Sequence, residues 1–323
     1  MKQIKVGSLF SGIGGIDLGF KQAGFSIAWA IEKDHYCCET YRNNFHETHL
    51  FEKDVRKINA YQLPKVDIIT AGFPCQSFSI GGHQRGFYDP RGNLFFEVLR
   101  FIQAQQPRFV FLENVSNLLQ HDEGRTFHII YTSLVEQGYF IKYKILRASD
   151  YSNIPQIRDR IYILAFREVT DCDRFVFPEP FPTAVTASDI IVRTVPVSKK
   201  YYYWGNDSFS IMARKTVTNK NAVYRVYHNN IKPIKNNMCP TLTASMGTQH
   251  NQVPLVIDNW GVRKLTPTEC LTLQGFPKDF IFPPSLSDNE QYKQIGNSVC
   301  VPVVNRIAQI IKKLYDSNQH YNY

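Results

Sequence analysis

Residues 5–15, Lys5-Val6-Gly7-Ser8-Leu9-Phe10-Ser11-Gly12-Ile13-Gly14-Gly15, run from a short apolar segment into a glycine-rich turn and then an amphipathic stretch. A strand (Lys5–Phe10), a loop and a helix (Gly15–Ala23) make the opening unit of an α/β domain, in which ligands bind at the carboxyl ends of the strands. Gly12, Gly14 and Gly15 give a tight turn and let a ligand approach the backbone at a helix N-terminus. The spacing departs from G-x-G-x-x-G, so the loop suits either a nucleoside-bearing cofactor or a plain structural turn. The next apolar run, Ser26–Ile31, ends at Glu32, twenty residues after Gly12. An acid there holds ribose hydroxyls in nucleotide-binding α/β folds. Asp54, in Lys53-Asp54-Val55, is placed to meet an adenine amino group.

Outward from this unit the pattern repeats. Apolar runs at Val66–Ala71, Phe109–Leu112, Tyr143–Ala148 and Ile161–Phe166 alternate with helical stretches at Tyr36–Asn43, Leu94–Gln105 and Thr126–Gln137. That alternation predicts a parallel sheet flanked by helices. The sequence Phe177-Pro178-Glu179-Pro180-Phe181-Pro182 breaks it and marks a boundary. Beyond that boundary the chain reads as short β-like pieces without a helical period until Thr266–Leu273, and a last helix is expected over Val301–Leu314. The expected division is a large α/β domain over 1–184, a smaller, mostly irregular/β insertion over 185–262, and a segment over 263–323 that returns to the first domain.

Composition excludes several classes. The chain has 323 residues, 43% of them hydrophobic, enough for a core and too many for a disordered or fibrous chain. It holds no run of eighteen apolar residues, and its first residues lack the apolar stretch of a secretory signal, so no membrane association is expected. Seven cysteines without regular spacing predict a reducing, cytoplasmic setting, and no Cys/His pattern completes a metal site. The net charge is +9, of which +6 falls between Val185 and Val262, interleaved with Tyr201, Tyr202, Tyr203, Trp204, Tyr224 and Tyr227. Cations among aromatics suit a polyanion with flat bases, or simply a solvated surface.

Three strand ends carry chemistry. Val66–Ala71 leads into Gly72-Phe73-Pro74-Cys75-Gln76, which places Cys75 in a tight loop as a nucleophile or, alternatively, a small buried hydrophobe. The second reading is expected of Cys37, Cys38, Cys172, Cys239, Cys270 and Cys300. Glu113-Asn114-Val115 ends the next strand: a buried acid would act as a proton donor, while Asn114 and Ser116 also fit a helix N-cap. In Gln156-Ile157-Arg158-Asp159-Arg160, alternation sends Arg158 and Arg160 to one side, to hold a phosphate, carbonyl or carboxylate, or to pair with Asp159 or Asp150.

The order Phe10-x-Gly12-x-Gly14-Gly15, Pro74-Cys75-Gln76, Glu113-Asn114-Val115 and Gln156-x-Arg158-x-Arg160 resembles that of the DNA (cytosine-5) methyltransferases, particularly the compact bacterial and phage modification enzymes. Asp89–Phe96, Arg263–Pro267 through Gln274–Pro277, and Tyr292–Val299 extend the likeness over roughly residues 4–170 and 239–315. It implies an α/β fold, a Rossmann-like S-adenosylmethionine-dependent methyltransferase sheet with an inserted target-recognition domain. The cofactor implied is S-adenosylmethionine, leaving as S-adenosylhomocysteine. Carried over, Phe10, Ile13, Glu32, Asp54, Val55, Pro74, Leu94, Asn297, Ser298 and Val299 line its pocket with Gly12, Gly14 and Gly15. Lys33 stands where relatives often have a tryptophan, and Trp29 on the preceding strand is a substitute to be tested.

The resemblance makes Cys75 the nucleophile toward C6 of a flipped-out cytosine and puts Glu113 at N3. It has Arg160, with Arg158 behind it, orient O2 and Glu113. Ser79–Arg91 resembles the loop that closes over DNA, with Arg85 and Arg91 touching it; Thr241 and Leu242, in Cys239–Ala244, resemble the Thr-Leu pair of the recognition domain. Duplex DNA is the implied partner of a monomer, alongside a cognate restriction endonuclease for the same site. Two related readings stand beside it: the branch that methylates transfer RNA, which usually lacks a sizeable recognition domain, and a catalytically idle DNA-binding relative. A cysteine hydrolase using His83 as its base would leave the glycine loop and Glu32 unexplained.

Overall fold

The structure, a computed structural model, describes residues 3–74, 94–181, 184–227, 230–248 and 252–317. Its first part alternates as expected: β1 (Lys5–Leu9), α1 (Gly15–Gln22), β2 (Ser26–Glu32), α2 (His35–Asn44), β3 (His49–Glu52), β4 (Ile68–Ala71), α3 (Leu94–Gln105), β5 (Phe109–Val115) and α4 (Arg125–Glu136). Next come β6 (Phe140–Arg147), the short α5 (Ala148–Tyr151), β7 (Asp159–Phe166) and the short α6 (Val169–Arg174). The described strands form a seven-stranded sheet in the order β3-β2-β1-β4-β5-β7-β6. β1, β4 and β5 lie at its centre with both faces covered, so nearly all of their residues are buried and most are apolar.

Two expectations are corrected here. The sheet is mixed, because β7 runs antiparallel to both β5 and β6. The edge strand β3 escaped notice because His49 and Glu52 interrupt its apolar pattern and its side chains are only partly covered. The reversal of β7 has a direct consequence. The start of an antiparallel strand lies at the carboxyl edge of its parallel neighbours, so Arg160 pairs with Val115, and Tyr162 with Glu113.

One face of the sheet is covered by α1 and by the C-terminal helix α11 (Val301–Ser317), through Phe20, Val304, Ile307 and Ile311 packed on Val6, Ile68 and Phe111. Gly19 makes this possible, since a side chain there would run into Val304. The other face is covered by α3 and α4, with Val98, Phe101, Ile130 and Leu134 over Ile69, Val110 and Leu112.

The second part begins with α7 (Ala187–Ile190) and α8 (Ser208–Thr216), followed by β8 (Tyr224–Tyr227), β9 (Asn230–Pro233), β10 (Leu255–Ile257) and β11 (Val262–Lys264). These strands make an antiparallel sheet, β11-β10-β8-β9, over a small core of Phe209, Ala213, Val226, Ile231 and Leu255. α8 corrects the expectation of no helix before Thr266: Asp207 caps it by accepting from Ser210 N at 2.9 Å, and two turns are too short to show a period. α9 (Pro267–Thr272) starts with a Thr266–Glu269 capping box and proline in its first turn. The buried Arg263 joins β11 to that box, 2.7 Å from Asp258 and 2.8–2.9 Å from both Glu269 oxygens. α10 (Asp288–Asn297) then leads back to α11. Among the described residues no helix is long and apolar enough to cross a membrane.

Candidate active site

At the carboxyl edge of β1, β2, β4 and β5 opens a cleft of about 670 Å³. Its first wall is the glycine loop. Phe10 leaves β1 with φ +54°, an uncommon conformation for a side-chain-bearing residue, and Gly12 has the same φ with open space where a Cβ would stand. Gly14 (φ +84°) backs onto Phe45, and Gly15 onto Ser298, too closely for any side chain. Glu32 closes the loop from β2. Its Oε2 accepts from Gly12 N at 2.9 Å and its Oε1 from Lys33 N (2.7 Å) and Asp34 N (2.8 Å), which fixes the carboxylate at the rim of the cleft.

Phe10, Gly12, Glu32, Asp54, Val55, Pro74, Leu94 and Asn297 line this cleft together. Ile13, Gly14, Gly15, Ser298 and Val299, expected in the same pocket from sequence, are absent from its lining; Ile13 and Val299 are core residues. Asp54 is engaged by Arg56 at 2.5–2.9 Å, which holds its carboxyl well below the usual range. The lining fits a nucleoside: the oriented Glu32 carboxylate can accept from ribose hydroxyls, and Val55 and Leu94 offer apolar surface to a base. Trp29 does not take the place of the missing tryptophan. Its ring is fully buried between Gly7 and Phe101, with Nε1 donating to Pro64 O at 3.0 Å, while Lys33 itself lines the cleft.

The deeper half holds the acid–guanidinium pair. Glu113, 8% exposed at the end of β5, has its Oε1 3.1 Å from Arg160 Nε. Burial raises the Glu113 pKa, against the opposing pull of Arg160 and Arg158. Gly72 packs beside this carboxyl, where even an added Cβ would sit at ordinary van der Waals distance from Oε2. Asn114 is a clamp: its amide donates to Phe73 O at 2.8 Å and ties β5 to the segment that runs into Pro74. The alternative pairing of the arginines is not seen among the described residues: Asp159 pairs with Arg147 at 2.7 Å, and Asp150 accepts from Ser149 Oγ at 2.8 Å.

Arg158, expected behind Arg160, also holds main chain of distant segments. It is 2% exposed and its Nη atoms donate to the carbonyls of Leu242 (2.7 Å), Gly296 (3.2 Å) and Ser298, while the side chain still lines the cleft and its Nε has no protein partner. Thr241 Oγ1 donates to Ile157 O, and the Leu242 side chain is fully buried, a core position that leaves it unavailable for a surface contact. Cys75, His83, Arg85 and Arg91 lie outside the described residues. The six other cysteines are all buried, as expected. Gln156, the first residue of its motif but given no role from sequence, is buried with its amide donating to Leu273 O at 2.6 Å and its oxygen accepting from Leu242 N. Sequence reasoning missed Asp34, which lines the cleft and caps α2; an Asp two residues before the helical stretch at Tyr36 was the available signal.

The family model for C-5 cytosine-specific DNA methylases matches residues 4–313. The chain is 46% identical over 313 residues to the Type II methyltransferase M.Bsp6I of Bacillus sp. (strain RFL6), covering 96% of this chain and 99% of that protein. It is 35% identical to the Type II methyltransferase M.HhaI of Haemophilus parahaemolyticus, covering 93% and 91% of the two chains. Among solved structures, a Spodoptera frugiperda DNMT2 mutant shares the fold with a TM-score of 0.73 at 21% identity, covering 97% of this chain and all of that one.

Proposed function

The chain belongs to the C-5 cytosine-specific DNA methylases, and from that premise we propose specific roles for the residues gathered at its cleft. The protein is a DNA (cytosine-5) methyltransferase, which transfers the methyl group of S-adenosylmethionine to C5 of a cytosine in DNA. Glu32, Asp54, Val55, Leu94 and Asn297 hold that cofactor, Glu32 at the ribose. When bound, it supplies an electrophilic methyl group on a sulfonium.

C5 of cytosine is a poor nucleophile until the ring loses its aromaticity. The Cys75 thiolate adds to C6. Glu113, kept protonated more readily by its burial, hydrogen-bonds N3 and stabilises the charge that develops across the ring. Arg160 orients Glu113 and the O2 carbonyl. After C5 has gained its methyl, loss of the C5 proton and elimination of Cys75 restore the enzyme. The cytosine must leave the duplex for this, at a cost of a few kcal/mol, which phosphate contacts from the basic residues 185–262 offset. Those residues are the target-recognition domain, between a catalytic domain over 1–184 and a returning segment over 263–323. Arg85, Arg91 and Thr241 contact DNA. The enzyme works as a cytoplasmic monomer beside a restriction endonuclease for the same site.

The observation that carries this reading is the Glu113–Arg160 pair in the same cleft as the Glu32–Gly12 bond and Pro74, one residue before Cys75. The test is transfer of tritium from labelled S-adenosylmethionine to duplex DNA and to RNA, followed by bisulfite sequencing of the DNA. Label on cytosine in DNA at one sequence context is the expected result. Label on RNA alone would replace the DNA reading with the transfer-RNA one.

A further inference from the structure

Arg158 touches two separate parts of the chain. Its Nη1 donates to Leu242 O at 2.7 Å, while its Nη2 donates to Gly296 O at 3.2 Å and to Ser298 O. Gly296 and Ser298 flank Asn297, which lines the cofactor side of the cleft. Leu242 comes directly after Thr241, the proposed DNA contact, whose hydroxyl donates to Ile157 O next to Arg158. The same two parts also meet at backbone distance: a side chain at Gly296 would overlap the main chain of Thr243, and one at Gly247 would overlap the main chain of Asn289. Residues 241–247 therefore pack against both ends of α10, and Arg158 bonds to each side of that contact. Arg158 anchors that contact to the start of β7, two residues before the arginine that holds Glu113.

We propose that Arg158 is a positioning residue that couples the two ligand sites, so that ordering of residues 296–298 by the cofactor sets residues 241–247 for DNA, and the reverse. This rests on the cleft being the cofactor site and residues 185–262 the DNA-recognition domain. A guanidinium whose Nη donors all meet main-chain carbonyls of both parts transmits a shift of either to the other. Lysine, a single point of donors on a flexible stem, cannot span them. The coupling is reciprocal: the factor by which DNA tightens cofactor equals the factor by which cofactor tightens DNA.

The experiment is titration calorimetry of S-adenosylhomocysteine into the full chain, alone and with a saturating oligonucleotide duplex carrying the site found by bisulfite sequencing. In the wild type the duplex is expected to tighten S-adenosylhomocysteine by about fivefold or more. In Arg158→Lys the tightening by DNA, taken as the ratio of the affinities with and without duplex, disappears. Full tightening in a folded Arg158→Lys, or none in the wild type, overturns the proposal. Should Arg158→Lys fail to fold, Thr241→Val and Thr241→Ser decide: the valine loses the bond to Ile157 O and should lose most of the tightening, while the serine should keep it. Wild-type tightening in Thr241→Val overturns the proposal too. A wild-type chain that binds no S-adenosylhomocysteine and methylates no DNA overturns the assigned function itself, an outcome distinct from lost coupling.

Discussion

The Asn114 side-chain amide donates to the Phe73 carbonyl at 2.8 Å, joining the end of β5 to the segment leading into Pro74 and Cys75. Glu113 is the next residue back on β5, so one short link sets the acid relative to Phe73 and Pro74, the last described residues before Cys75. In the proposed mechanism Glu113 and Cys75 meet the same pyrimidine ring.

Asn114→Ala should accordingly lower kcat by about a hundredfold, the scale of a misplacement near 1 Å. Cofactor affinity should stay unchanged, because Asn114 makes no bond to the glycine loop. Single-turnover methylation together with calorimetry separates the two effects. Wild-type turnover would mean that the loop is set by other contacts.

Duplex DNA with 5-fluorocytosine at the target should form a denaturation-resistant adduct, and only when S-adenosylmethionine is present. Fluorine cannot leave as a cation, so the elimination that frees Cys75 is blocked. Cys75→Ser should give neither adduct nor methylated product. Adduct yield should fall as salt rises, since the +6 of residues 185–262 displaces counterions from DNA. Methylation of ordinary cytosine without any trapped complex would rule out the Cys75–C6 bond.

Glu32→Ala should weaken S-adenosylhomocysteine binding by about 1–3 kcal/mol, the loss of a charged hydrogen bond together with the bonds that order Gly12 N, Lys33 N and Asp34 N. Calorimetry reads this directly. Unaltered affinity would place the ribose contact elsewhere.

Stability should depend on pH through Asp17, which is fully buried in α1 against Tyr41 OH at 2.7 Å. Burial lifts its pKa from 3.8 to about 6, opposed by the hydroxyls of Ser8 and Tyr41. The folded state thus prefers the protonated acid. This contribution is fully present below pH 3.8 and is lost as pH rises through about 6. Asp17→Asn keeps an acceptor for Tyr41 and should remove that slope, with a gain of up to roughly 3 kcal/mol near pH 7. Urea unfolding of both proteins across pH 4–7.5 checks it; parallel curves would show that Asp17 does not titrate in this range.

The order of strands, the glycine loop, Glu32 at the second strand's end and the Glu113 and Arg160 positions were legible in the sequence, because each follows from local rules. A strand buried on both faces is mostly apolar, as Ile68, Ile69 and Ala71 of β4 and Phe109–Leu112 of β5 are. A backbone at positive φ close to a neighbour must be glycine, as at Gly14. What stayed hidden was every feature set by the chain's return on itself. β7 reads the same whether it runs parallel or antiparallel, yet only the antiparallel course brings Arg160 to Glu113 at the carboxyl edge. Alternation puts Arg158 and Arg160 on one side of a strand and cannot say that Arg158 is taken up by carbonyls 84 and 138–140 residues away. Trp29 and Lys33 are four residues apart, and which of them meets the cleft depends on Gly7 and Phe101 having enclosed the indole. Side-chain type and spacing determine which groups a strand end can offer. Long-range packing decides which are left facing the ligand, since a buried donor must first satisfy the carbonyls packed around it.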